Sequence, residues 1–353
     1  MSAVGRFAWR AIGRWETLLI VLIVVVGWWS TTLSPFFLTR LNLLDLTTPY
    51  IFIGLLALGL AFVVVCGEID ISVASTMAVS AVSFAEIWQG GTNVWLAALA
   101  ALVIATLLGL VNGVLVGVFN LPSLAVTLGT LAAYRGLAYV ILEGEARSNF
   151  PLSFTDIGGG YINNELPKAL LVLFGATLVL GVLLHATRFG RYVYAIGSNR
   201  EAARFSGIPV ARVRVTVFAL SGFMAGCAGI VYLGFFGSVQ ADAASGSELI
   251  DVVTAVVLGG VDIFGGSGSI PGVLLALILV AELRNGMQLD NLSGATQDMV
   301  IGGLLVGAIL AGNIARAARD RGTPWTRALS SREGVVQFRR VPVVGKLKSE
   351  EGG

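Results

Sequence analysis

Apolar residues in this chain do not alternate with polar ones; they run almost unbroken for stretches of about twenty, separated by short polar links. A hydrocarbon layer calls for roughly 20 apolar helical residues, with about 17 to 25 tolerated. That length marks ten segments: Thr17 to Leu33, Pro49 to Cys66, Ile71 to Trp88, Val94 to Val118, Leu124 to Leu142, Ala169 to His185, Val215 to Phe236, Leu249 to Ile263, Ile270 to Met287 and Thr296 to Asn313. The eighth is short and ends in glycines. The pattern predicts an all-α, polytopic membrane protein of about ten transmembrane helices.

Small residues recur at helical spacing inside several segments. Gly109, Gly113 and Gly117, extended back by Ala97, Ala101 and Ala105, form a stripe on the fourth; Gly222, Ala225, Gly226 and Gly229 do so on the seventh, and Gly303 and Gly307 on the tenth. Helices in lipid gain little from hydrophobicity when they meet, so such stripes predict close backbone packing. Two stretches read as breaks between helices: Gly67-Glu68-Ile69-Asp70-Ile71-Ser72, and the glycine-rich run from Gly259 to Ser269 that carries Asp262. Non-helical backbone at membrane depth requires protein or water around it. The two are alike, residues 64–71 and 256–263 sharing five of eight positions, which an internal repeat or common residue types would both explain.

Composition narrows the class. Of 353 residues, 56% are hydrophobic, 45 are glycine and 12% are charged. Soluble domains carry roughly 25% charged residues, so a water-soluble enzyme is excluded. Cys66 and Cys227 sit in apolar runs and read as small buried hydrophobes. The only histidine, His185, ends a segment and reads as interfacial. No GxxxxGK[ST] loop, HExxH pair or cysteine-histidine cluster occurs, so the chain predicts no ATP hydrolysis of its own, no metal and no cofactor. The chain thus reads as a non-enzyme.

Charge sets the expected orientation. Eighteen of the 23 basic residues fall before the first segment, between the sixth and seventh, or after the tenth. Cytoplasmic links are enriched in Lys and Arg, and an even number of helices puts those three regions on one side, predicting both termini cytoplasmic. Trp28-Trp29-Ser30-Thr31-Thr32 offers no small-x-small cleavage site, so the first segment is expected to remain as a helix. The resulting division is a cytoplasmic N-terminal segment at 1–16, a transmembrane domain at 17–313 with a cytoplasmic loop at 186–214, and a basic tail at 314–353. That tail is expected to sit in solvent near anionic lipid, with no role in nucleic-acid binding. Ionisable groups inside segments are functional candidates by default. Arg135 is the deepest; Glu86, Asp251, Glu282, Arg284 and Asp298 lie near segment ends, where snorkelling would suffice.

The loop from Arg188 to Arg214 is the most specific piece of the sequence. Asn199 suits a helix N-cap, Glu201 favours a helix start, and Gly207 with Pro209 predicts a stop followed by a second short helix. The expected result is a compact helix-turn-helix knob. Its Ala202, Ala203, Phe205 and Ile208 would suit either a hydrophobic groove on another protein or a lipid headgroup surface.

Glu201-Ala202-Ala203 through Gly207-Ile208 resembles the coupling-loop signature of ATP-binding-cassette importer permeases, in the branch that includes ribose, rhamnose and autoinducer-2 permeases. Gly67-Glu68-Ile69-Asp70-Ile71-Ser72 is similar to that family's GGIDLS motif. Leu128-Gly129-Thr130 with Arg135-Gly136 resembles its LGT...RG segment, and Ala255 to Gly260 with Phe264 to Gly268 its AVVLGG...GGxG segment. Position 68 departs, carrying Glu where glycine is common. The resemblance covers roughly residues 18–312.

It implies the membrane subunit of a type II-like importer, placed in a bacterial inner membrane. Two permease subunits, identical or different, would enclose a pathway. A partner ATPase would grip the knob at Asn199, Glu201, Ala202, Ala203, Phe205, Gly207, Ile208 and Pro209, and a periplasmic binding protein would deliver a monosaccharide. Glu68, Asp70, Arg135 and Asp262 are the pathway or gate candidates. The competing readings are an ion-coupled secondary transporter using Glu68, Asp70 or Arg135, and a scaffold subunit with no pathway.

Overall fold

A computed structural model describes residues 14–163, 165–240 and 248–322. The chain divides into two units, 1–309 and 310–353. The helices of the first are α1 (Arg14–Leu33), α2 (Arg40–Val65), α3 (Val73–Gln89), α4 (Val94–Gly117), α5 (Ser123–Leu142), a short α6 (Leu152–Gly159), α7 (Lys168–Ala186), α8 (Arg188–Ser198), α9 (Arg200–Phe205), α10 (Val210–Phe236), α11 (Glu248–Leu258) and α12 (Ile270–Leu289). α13 runs Gly294–Gly322, and its residues 310–322 are the described part of the second unit. Four two-residue strands pair as Arg147–Ser148 with Ser238–Val239 and Tyr161–Ile162 with Leu166–Pro167. Arg6 and Arg10, most of the loop at 237–248 and the tail beyond 322 lie outside the described residues.

All ten apolar segments fall on helices, and eight of these are long and apolar enough to cross a membrane: α1, α2, α4, α5, α7, α10, α12 and α13. The other two, α3 and α11, are 17 and 11 residues long. The expected eighth span to Ile263 ends instead at Leu258, because Gly260 takes a φ of +82° and the chain turns. Both short helices are deeply packed: Val73 to Ala85 are buried along α3, as are Ala255 to Leu258 on α11. Protein surrounds these buried stretches, which relieves the length requirement of a span.

α2 is the axis of the bundle, buried almost continuously from Ile51 to Cys66. Around it α4 and α10 lie backbone to backbone, because each offers the other its small-residue stripe. A Cβ on Gly109 would fall 2.4 Å from the Phe218 carbonyl oxygen, and one on Gly222 would fall 2.5 Å from that of Ala105. Ala97, Ala101 and Ala105 are fully buried along the same line. Gly303 and Gly307 differ: among the described residues a Cβ on either meets open space, so no helix packs on that stripe there.

Charge staples complete the bundle. Arg284 on α12 reaches Asp251 on α11 through Nε at 2.9 Å and Nη2 at 2.7 Å, and Asp298 on α13 at 2.8 Å. Asp251 is 3% exposed. The expectation that Asp251 and Arg284 snorkel to the interface is therefore corrected: they neutralise each other inside the protein. α6 seats the long loop after α5 by stacking Phe154 on Phe84, centroids 4.2 Å apart.

Candidate coupling loop and helix breaks

The two breaks end their helices in the same way. Gly67 (φ +79°) donates to the Val64 carbonyl and Glu68 N to that of Val63; Gly260 (φ +82°) donates to Val257 and Val261 N to Val256. A left-handed residue at this position closes the last turn, and glycine adopts it without steric cost. Structurally, Gly67 therefore answers to Gly260, whereas the sequence match aligns it with Gly259. The cap recurs, but the aspartates that follow stand out of register and do different things.

Asp70 is 3% exposed and centres a buried polar cluster. Its Oδ1 accepts from Ser72 N at 3.0 Å and Ser72 Oγ at 2.7 Å, and its Oδ2 from Ser221 Oγ on α10 at 3.1 Å. Asn112 on α4 donates to Ser72 Oγ at 2.8 Å, and Tyr134 on α5 donates to Asn112 Oδ1 at 3.3 Å. Ile69 is held by α5 on both sides: its N donates to Ser123 Oγ at 3.1 Å and its carbonyl accepts from Thr127 Oγ1 at 3.3 Å. Asp262 is half-buried; its Oδ1 accepts from Phe264 N at 2.8 Å, and its own N donates to the Ser267 carbonyl. It shapes the glycine-rich turn.

Glu68 is likewise 3% exposed. Its Oε1 lies 2.7 Å from Nε of Arg214, itself 2% exposed, and also accepts a hydrogen bond from Nη2 of Arg200. Arg214 Nη1 donates to Asn120 Oδ1 at 2.9 Å. The sequence flagged Glu68 but not its partners, since nothing in residues 67–72 points to arginines more than 130 positions away. Arg135 faces outward on α5, and none of the ion pairs among the described residues includes it.

The loop forms as three joined pieces. Thr187 caps α8 by accepting from Gly190 N, and Asn199 caps α9 by accepting from Ala202 N at 2.9 Å, as its residue type suggested. Gly207, at φ +78°, ends α9. The expected second short helix is corrected: after Pro209 the chain enters the 27-residue α10, and the short companion of α9 is α8, before it. Within the knob Ala203 is buried and Ile208 half-buried, so both anchor it, while Phe205 is 90% exposed. Asn199, Glu201, Ala202, Gly207 and Pro209 are exposed.

The knob's base is clamped to both breaks. A Cβ on Gly197 would fall 1.9 Å from the Val65 carbonyl and 2.4 Å from Gly266 N, and Gly266 N donates to that carbonyl at 2.8 Å. Tyr194 donates to the Gly268 carbonyl at 2.7 Å, and burial pushes its phenol up to about 12, so it stays a neutral donor. His185 accepts from Ile270 N at 3.2 Å, a helix-capping contact and not a merely interfacial one. Among the described residues no cluster of His, Cys, Asp and Glu could hold a metal ion.

The bundle has helices of membrane-crossing length, is broken beside the two buried carboxylates Glu68 and Asp70, and packs at those breaks against one protruding loop. The sequence matches the family model described as branched-chain amino acid transport system / permease component over residues 42–309, and the chain belongs to that family. It is similar to the autoinducer 2 import system permease protein LsrD of Escherichia coli strain K12, of Escherichia coli O157:H7 and of Shigella flexneri. Each is 35% identical over 299 residues, which span 83% of this chain and 90% of the relative. The chain is a multi-pass membrane protein, a type II-like ATP-binding-cassette importer permease; it is a transport component and not an enzyme.

Proposed function

We propose that the chain forms the pathway for a monosaccharide or an autoinducer-2-like solute, and that its 186–214 loop, facing the cytoplasm, docks a separate ATPase. The observation that carries the reading is Phe205. A phenyl ring left 90% exposed on a helix whose base is buried is an anchor for an apolar groove, the helix-in-groove mode of recognition. Asn199, Glu201 and Ala202 stand beside it, and Ala203, Gly207, Ile208 and Pro209 set its angle. The substrate class follows the relatives named for autoinducer 2 import.

In this reading 1–16 and 314–353 are cytoplasmic and 17–313 is the permease domain. A periplasmic binding protein supplies the solute, and a second permease, identical or different, meets the outward face of α5. Arg135, with Gly129 and Gly136 on the same open helix, lines the pathway there, where a second subunit and water solvate its charge. Asp70 and Asp262 set the shape of the breaks that bound it. ATP-driven closure of the ATPases moves the knob and biases the bundle between inward- and outward-open states. The test is uptake of radiolabelled ribose, rhamnose and autoinducer-2 into proteoliposomes holding the permease, its ATPase and the binding protein. Accumulation of one of them is expected only with ATPase and ATP present; accumulation without either overturns the proposal.

A further inference from the structure

We infer that Glu68 is the tie through which the coupling loop pulls on the broken membrane helices. The inference rests on the reading of residues 186–214 as the ATPase-docking loop and names the residue through which that loop acts.

The carboxylate is placed between two arginines with different attachments. Arg214 belongs to the first turns of α10 and is further held by Asn120, so it fixes Glu68 to the bundle. Arg200 is the first residue of α9, on the knob, with its side chain about half exposed at 47%. One buried anion thus joins the moving part to the static part. Removing it would leave a 2%-exposed guanidinium without its counter-ion, so the arrangement is held tightly.

The geometry gives the tie a direction. Backbone packing of Gly197 on Val65 and Gly266 resists the knob's approach, since atoms already touch there. Contact of that kind transmits a push and nothing else. The Arg200–Glu68 pair resists separation and transmits the return stroke to the first break, while the Tyr194 bond to the Gly268 carbonyl holds the second. Both strokes reach the first break: the push arrives at Val65, at the end of α2, and the pull at Glu68, which precedes Ile69, gripped by α5, and Asp70, bonded to Ser72 and Ser221. From Ser72 the bonds continue through Asn112 to Tyr134, the neighbour of Arg135.

The test uses the complete importer in proteoliposomes, with Leu128→Cys on the open face of α5 as the reporter, in a background lacking Cys66 and Cys227. The thiol-labelling rate at position 128 is read without nucleotide and with ATP and vanadate. In the parent protein the rate is expected to shift on trapping; a rate that does not shift overturns the docking reading, and this inference with it. With Glu68→Gln, ATPase association and ATP hydrolysis should persist while the nucleotide-dependent shift falls about tenfold, and Glu68→Asp should restore part of it. A full shift in Glu68→Gln overturns the inference and leaves the docking reading standing. Should Glu68→Gln not be recovered folded, Arg200→Gln, which keeps the buried Arg214–Glu68 pair, decides in the same way. A diminished shift supports the tie, and an unchanged shift overturns it.

Discussion

Phe205 and Asp251 show how differently two side chains of one bundle respond to change. Phe205 touches little of its own chain, so Phe205→Ala should leave the thermal unfolding of the purified permease unmoved. As a groove anchor its loss should weaken ATPase association by about 2 kcal/mol, roughly thirtyfold in Kd, measurable by titration in detergent. Asp251 is the reverse. Asp251→Ala leaves the mostly buried Arg284 with only the more exposed Asp298, and breaking one side of a buried pair costs up to about 3–5 kcal/mol. A marked fall in the unfolding temperature is expected, with ATPase affinity for the surviving folded protein unchanged. Residue type and its place in the loop made Phe205 legible as a candidate anchor. They did not separate Phe205 from Ala203, since only the turn of α9 decides which side of six residues faces inward.

At the scale of elements, small residues are where the helices and the loop touch. Gly197→Ala puts a methyl 1.9 Å from the Val65 carbonyl, so the coupling loop must move off the breaks. The expected outcome is a permease that still inserts and binds ATPase but no longer shows ATP-dependent uptake in proteoliposomes. Gly222→Val would force α4 and α10 apart along their shared stripe and should lower the yield of folded protein on size-exclusion chromatography. Gly303→Ala on α13 meets open space and should fold like the parent, which makes it the matched control. The spacing around Gly222 was readable as a packing face, Gly303 and Gly307 read the same way yet meet open space among the described residues, and nothing in the sequence singled out Gly197. Which stripe meets which helix was not readable, because a one-dimensional period names a face and says nothing of its partner.

At the scale of the first unit, two breaks and one loop converge on a single clamp at the end of the buried α2. Modification of Ser198→Cys by a membrane-impermeant thiol reagent, in the background lacking Cys66 and Cys227, should occur in inside-out vesicles and not in right-side-out ones; the opposite result would reverse the orientation proposed for the loop. The apolar run lengths, the expectation of an all-helical membrane protein, the helix caps at Asn199 and Gly67 and the resemblance carried by residues 201–208 all follow from local residue order. Hydrocarbon length, backbone hydrogen bonding and turn conformation act over a few neighbours, so they are written along the chain. The union of Glu68 with Arg200 and Arg214, the pairing of the α4 and α10 stripes and the withdrawal of Asp251 from the interface were settled only by folding. Each joins groups far apart in sequence, and a buried charge finds its partner through packing in three dimensions.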